Sequence, residues 1–245
     1  MVNRNSNKVL KNVAETMNDV IFGEESASLT GVGLKTIYFV ILTLIGGFGG
    51  ITLFRNYPEA FIMFLAISGI VGMICAFVAM SKYKYSLVFG SIYCLCEGMF
   101  LGVISYFCEE FVPGVVLTTM VATIALVFVC GFMYLSGLIK VNSKFRRFLM
   151  LFAISFLVTS LVMFLLSLFG VIDLTSFYTS LLVGFITVVL ASLFLINDFD
   201  YAYQLIKDNG PKELEWMVAF GIAYTVLWIY YEILRIVIII FGRRD

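Results

Sequence analysis

Two aspartates, Asp198 and Asp200, interrupt the apolar run "LFLINDFDYAYQLI" (193–206). On a helix, residues two apart point about 160° away from each other, so these acids serve different faces; Asp200 shares its face with Gln204. A third acid, Glu97, lies within "CLCEGMFLG" (94–102), and a fourth, Glu232, within "YYEILR" beside Arg235. Thr225, Trp228, Glu232 and Arg235 recur at i, i+3, i+7 and i+10, a polar stripe along an otherwise apolar helix. Glu232 and Arg235 are spaced to pair on that stripe, or Arg235 snorkels to the far interface. Carboxylates among apolar helices offer proton exchange and hard oxygen ligands. A charged one at membrane depth costs roughly several kcal/mol unless it faces a bundle interior or water. Two that share such a site titrate as one unit. A shared proton, or Arg235, would hold the helices shut, and loss of the proton would part them and expose oxygen ligands. Asp198 and Asp200 also fit a simpler role, meeting solvated headgroups at a helix end, and Glu97 fits a neutral acid bonded to a backbone carbonyl.

The elements that carry these acids follow from composition. The 245 residues are 62% hydrophobic and 13% charged, more apolar than a soluble domain of this size can bury. Continuous apolar runs lie at about 34–54, 60–80, 86–107, 114–139, 148–170, 175–197 and 216–240, each long enough to cross about 30 Å of hydrocarbon. They lack strand-like alternation, so an all-α integral membrane protein with seven transmembrane helices is expected, residues 34–245 forming the bundle. Residues 1–33 form a polar segment with no signal-peptide core, in which Val9, Leu10, Val13, Met17 and Val20 have the spacing of a surface-lying amphipathic helix; a disordered tail fits equally. Gly46 and Gly50, and again Gly98 and Gly102, make small-xxx-small faces for close helix contact. The fourth and fifth helices read as scaffold, joined by "KVNSKFRRF", a cationic loop suited to anionic headgroups.

Charge sets the orientation. Arg4, Lys8, Lys11, Lys35, Lys82, Lys84, Lys140, Lys144, Arg146, Arg147, Lys207 and Lys212 fall on the N-terminal side, against Arg55, Arg243 and Arg244 opposite. That imbalance places the N-terminus in the cytoplasm and the C-terminus outside. A net charge of zero gives no footprint for nucleic acid. The chain contains no histidine, so histidine-ligated zinc, Ser-His or Cys-His catalysis and a histidine pH switch are excluded. Cys75, Cys94, Cys96, Cys108 and Cys130 all lie in or at the ends of apolar runs, as packing residues do. With no phosphate-cradling glycine loop and no nucleophile–base motif, neither an enzyme nor a cofactor is expected.

"EGMFLG" (97–102), "FRRFL" (145–149), "LINDFD" (195–200) and "IYYEILRI" (229–236), in register on seven helices, resemble the Bax inhibitor-1/YccA family, its bacterial branch most closely. The resemblance covers essentially the whole chain. It implies a bundle whose last helix is central, wrapped by the other six. It also implies a pH-sensitive calcium leak of the bacterial inner membrane, with an acidic pair from the sixth and seventh helices sharing a proton. By motif that pair is Asp200 and Glu232, which would also be weak, transient calcium ligands; Glu232 replaces the family's usual Asp. Other members modulate the membrane protease FtsH, which makes a protease, beside the lipid bilayer and calcium itself, an expected partner. Some members carry an acid in the second helix, which this sequence lacks and for which Glu97 stands as a substitute.

Depth argues for an alternative pair. A turn at "DNGPK" (208–212) makes the last two helices antiparallel and sets Asp200 level with Phe220, so Glu232 lies roughly 18 Å deeper. Glu97 lies about 16 Å from the start of its own helix near Ser86, close to that depth. Glu97, Glu232 and Arg235 would then form a buried cluster, with Asp198 and Asp200 as an acidic mouth. Three functions stand at this point: a pH-gated cation leak, a protease modulator working through residues 1–33, and a small-solute transporter.

Overall fold

In hydrocarbon every backbone amide needs a partner within its own segment, so unbroken apolar runs fold as helices. The computed structural model describes residues 26–170 and 180–242. Seven helices in it are long and apolar enough to cross a membrane: α1 (Leu29–Asn56), α2 (Pro58–Ser81), α3 (Ser86–Phe111), α4 (Val115–Leu135), α5 (Ser143–Leu168), α6 (Leu181–Lys207) and α7 (Leu214–Phe241). Most outrun the apolar segments that announce them, because hydropathy marks the hydrocarbon crossing whereas the helix continues to its cap. The largest difference is in α6, which passes straight through Asp198 and Asp200 to Lys207. The expected amphipathic helix over Val9–Val20 and the terminal Arg243 and Arg244 lie outside the described residues.

Local chemistry sets the ends. The Ser28 hydroxyl accepts from the Gly31 amide at 3.0 Å at the start of α1, and the Asn142 side chain accepts from the Phe145 amide at 2.8 Å at the start of α5. Pro58 opens α2, where its missing amide hydrogen costs nothing. Between α3 and α4 the Glu109 carboxylate accepts from the amides of Gly114 and Val116, at 2.7 and 2.9 Å. The expected turn after α6 is present: Asn209 takes a left-handed conformation with φ of 48°, and the Gly210 amide donates to the Leu205 carbonyl at 2.8 Å. Ser26 bridges to Pro211 in that turn, and the Ala27 amide donates to the Gly210 carbonyl at 2.9 Å. The start of the described chain is thereby fastened to the α6–α7 connection.

Packing makes the last helix central. α7 lies against α1, α2, α3, α4 and α6, whereas α5 touches only α6 among the described residues. Ala219, Phe220, Ala223 and Ile229 of α7 are fully buried. In α5 Leu149 alone is buried, and Phe148, Leu151, Ile154 and Leu157 face outward. Apolar exposure of this extent is what a lipid environment covers, and the chain is an integral membrane protein.

The closest helix contact joins α1 to α3, and both glycine pairs found in the sequence meet there. A Cβ added at Gly50 would lie 2.7 Å from the Met99 carbonyl oxygen, and one at Gly102 would lie 2.5 Å from Gly47 Cα. A Cβ at Gly98 would collide with the backbone of Thr43. Backbone cannot swing aside as a long side chain can, so these positions admit no larger residue without separating the helices. Gly98→Leu is therefore expected to cost about 1–3 kcal/mol of stability or more. Gly49→Leu, one face away with nothing within 4 Å of the added Cβ, should leave the thermal midpoint in detergent unchanged.

Candidate functional site

Asp200 and Asp198 turn to opposite sides of α6, as their spacing requires. Asp200 faces α4 and α5 and is buried, with a relative exposure of 7%. Its Oδ2 accepts from Arg146 Nη2 and from Gln204 Nε2, each at 2.6 Å, and its Oδ1 accepts from the Tyr134 hydroxyl at 3.1 Å. The Arg146 guanidinium also rests over the Tyr201 ring at 4.6 Å, a cation–π contact. Arg146 belongs to the first turn of α5 and Tyr134 to the last turn of α4. This corrects the reading of α4 and α5 as scaffold and of the whole "KVNSKFRRF" loop as a headgroup anchor. The arginine pair of that loop is split: Arg147 is exposed, while Arg146 turns inward to pin α5 to α6.

Glu232 occupies a second charged cluster farther down α7. Its Oε2 accepts from Arg235 Nη2 at 2.6 Å and from Thr187 Oγ1 of α6 at 2.8 Å, and its Oε1 accepts from the Trp228 indole at 3.2 Å. Arg235 also donates to Thr187 Oγ1 at 2.9 Å. The polar stripe foreseen on α7 thus folds back on itself, and Arg235 pairs rather than snorkels. Gly184 makes room, since a Cβ there would lie 2.8 Å from Ile236 Cγ1.

Between the two clusters, Asp198 Oδ2 accepts from Thr225 Oγ1 at 2.6 Å. Asp198 facing Thr225 and Thr187 facing Glu232 fix the antiparallel register of α6 and α7 close to that expected from the turn. Glu97 stands apart. It lines a cavity of about 240 Å³ between α3 and α7 with Tyr93, Tyr224, Leu227, Trp228 and Tyr231. Among the described residues it has no hydrogen-bond or ion-pair partner.

Neither expected acid pair forms. Asp200 and Thr187, the α6 partner of Glu232, are 13 residues apart on one helix, or roughly 20 Å. Asp200 and Glu232 therefore share no proton, and each is neutralised by its own arginine. They do not converge on one calcium ion, and no group of three or more acids or thiols arranged for a metal occurs among the described residues. The α6 acid that meets α7 is Asp198, and its partner is a hydroxyl. The alternative cluster is half formed: Glu232 and Arg235 pair, but Glu97 sits level with Trp228, one turn short of Glu232, with that indole between them. Depth along the chain is shared by every face of a helix; rotation about its axis decides which acids meet.

One buried acid went unnoticed in the sequence. Glu215, with no exposed surface, accepts from Lys35 Nζ at 2.6 Å and from the Ser28 amide at 2.6 Å. It sits over the amino end of α1, where a carboxylate is favoured by the helix dipole, and Gly31 leaves it space. Lys35 in turn lies 4.8 Å over the Trp216 ring. In the sequence Glu215 reads as an ordinary first-turn acid of α7. Its signal would have been Lys35, a lysine at the start of the first apolar run and more than one turn into α1.

Seven membrane-crossing helices with carboxylates paired inside the bundle define a polytopic membrane protein built around an ionic interior. Residues 3–242 match the family described as Bax inhibitor 1 like, nearly the whole chain, and the protein belongs to that family. No curated protein and no solved structure matches it.

The Glu232–Arg235 pair should behave as a buried ion pair in a double-mutant cycle. Arg235→Leu, which strands Glu232, is expected to cost about 3–5 kcal/mol, whereas Glu232→Leu combined with Arg235→Leu should recover most of it. Unfolding of the four proteins in detergent measures the difference.

Proposed function

We propose that this protein is a pH-gated leak for cations, calcium among them, in a bacterial inner membrane, with its N-terminus in the cytoplasm. The observation that carries the reading is the Arg146–Asp200 pair. It is a polar fastening of α5, a helix that among the described residues otherwise touches only α6, and it is held by a group that a proton neutralises. Asp200 must be ionised to bind Arg146. Acidification removes that charge, leaves a half-buried guanidinium unpaired and frees α5 to swing away from α6. The sign is opposite to that expected for two acids sharing a proton, because an arginine has taken the second acid's place. A cation entering past Asp200 and Asp198 would then meet the Glu232 cluster, whose single carboxylate offers calcium too few oxygens to trap it.

Calcium uptake into proteoliposomes is expected to rise as pH falls from neutral. Asp200→Asn should raise the neutral-pH flux severalfold and flatten its pH dependence, and Glu232→Gln should lower flux at every pH. Flux that is absent at all pH values, or indifferent to both substitutions, rejects the leak.

A second reading, modulation of a membrane protease, draws support from the attachment of the chain at Ser26 and Ala27 to the α6–α7 turn. Deleting residues 1–25 should leave flux intact under the leak reading. If it instead changes degradation of a membrane-protease substrate in cells while the purified protein carries no flux, the modulator reading holds.

A further inference from the structure

We infer that the cavity between α3 and α7 is a binding site for a small alkylated ammonium ion, with Glu97 as its counter-ion. Four observations converge. Every other acid described above as buried or half-buried inside the bundle has a donor: Asp198 has Thr225, Asp200 has Arg146, Glu215 has Lys35 and Glu232 has Arg235. Glu97 alone among these faces open space. The walls of that space are Tyr93, Tyr224, Trp228 and Tyr231, with Leu227, and no lysine or arginine contributes to them. Aromatic faces carry negative charge density and attract weakly hydrated organic cations, so a carboxylate ringed by aromatics is a cage for a substituted ammonium.

The walls are also held in place. The Trp228 indole is fixed by its bond to Glu232 at 3.2 Å and packs 5.9 Å from Phe194, and the Tyr93 and Tyr224 rings stand 5.5 Å apart. The volume of about 240 Å³ falls below the range of drug-sized pockets, about 300–1,000 Å³, and suits an ion of a few carbons. A hard divalent ion is the poorer fit. Calcium takes about six to eight oxygens, and one carboxylate with three phenols around hydrocarbon does not supply them. The site is thus distinct from the proposed calcium route and stands whether or not the protein leaks.

Calorimetric titration of the full chain in lipid nanodiscs tests the site, with tetramethylammonium and choline chloride as probes and sodium and calcium chloride as controls. Saturable binding of one tetramethylammonium per chain is expected, displaced by choline but not by calcium. Glu97→Gln should weaken it on the order of tenfold or more, about 1.4 kcal/mol, while Glu97→Asp retains part of the affinity. Trp216→Phe leaves Trp228 as the sole tryptophan, and its emission should shift on titration with the same dependence on concentration. Should Glu97→Gln fail to assemble, Tyr224→Leu should weaken binding and leave the fold intact. The inference is overturned by the absence of saturable binding to the native chain or by unchanged affinity in Glu97→Gln. It is equally overturned by calcium outcompeting tetramethylammonium, or by an unresponsive Trp228.

Discussion

A charge inside the bilayer needs an opposite charge or a strong donor inside the protein, and this requirement decides how the seven helices neighbour one another. Water is not at hand to solvate an isolated carboxylate, and leaving one unpaired costs more than most packing defects. Two ionic contacts join helices directly, and a third does so through a hydroxyl. Lys35 and Glu215 tie α1 to α7, Arg146 and Asp200 tie α5 to α6, and the Glu232–Arg235 pair of α7 is closed by Thr187 of α6. Hydrophobic burial cannot perform this sorting, because lipid tails are as apolar as the leucines that face them. The polar contacts supply the specificity, and close packing at the α1–α3 glycine seam supplies the fit.

The three contacts differ in what surrounds them, and on the proposed reading that difference divides structural from responsive roles. Glu215 is fully buried and lies at the α1 amino end, among several donors, on a helix that is packed on nearly every side. Removing one donor leaves others. Arg146 and Asp200 hold a helix that, among the described residues, has one neighbour and turns exposed apolar side chains outward. On the proposed reading, a single proton on Asp200 has more leverage over the position of α5 than a proton elsewhere has over any other helix. Local stability is lowest where contacts are fewest, and moving parts are drawn from such regions.

The helices and their polar stripes were legible in the sequence because both depend on one segment at a time. Hydropathy finds the crossings, the Asp208–Pro211 turn fixes the antiparallel register, and a 100° step per residue separates Asp198 from Asp200. The glycines at 46, 50, 98 and 102 announced close contacts, though not that they would face each other. What sequence could not supply was the choice of partner. Asp200 and Glu232 looked paired by family resemblance, and Glu97 and Glu232 by depth, yet each pairing needed the rotation of two helices about their own axes. Arg146 was hidden because an arginine at the start of a transmembrane helix serves equally as a headgroup anchor or as an inward-turned partner. Only the position of α5 against α6 distinguishes them.

The distance between the starting end of α5 and the closing end of α6, followed as a function of pH, probes the Arg146–Asp200 fastening without relying on transport. Spin labels at the exposed positions 144 and 207, on a cysteine-free background in nanodiscs, report it by pulsed dipolar spectroscopy. The distance distribution should be single and short at neutral pH and gain a longer component on acidification, and Asp200→Asn should show that longer component at neutral pH. A distribution that is the same at all pH values and in the variant would mean that α5 is held by packing alone and that the pair gates nothing.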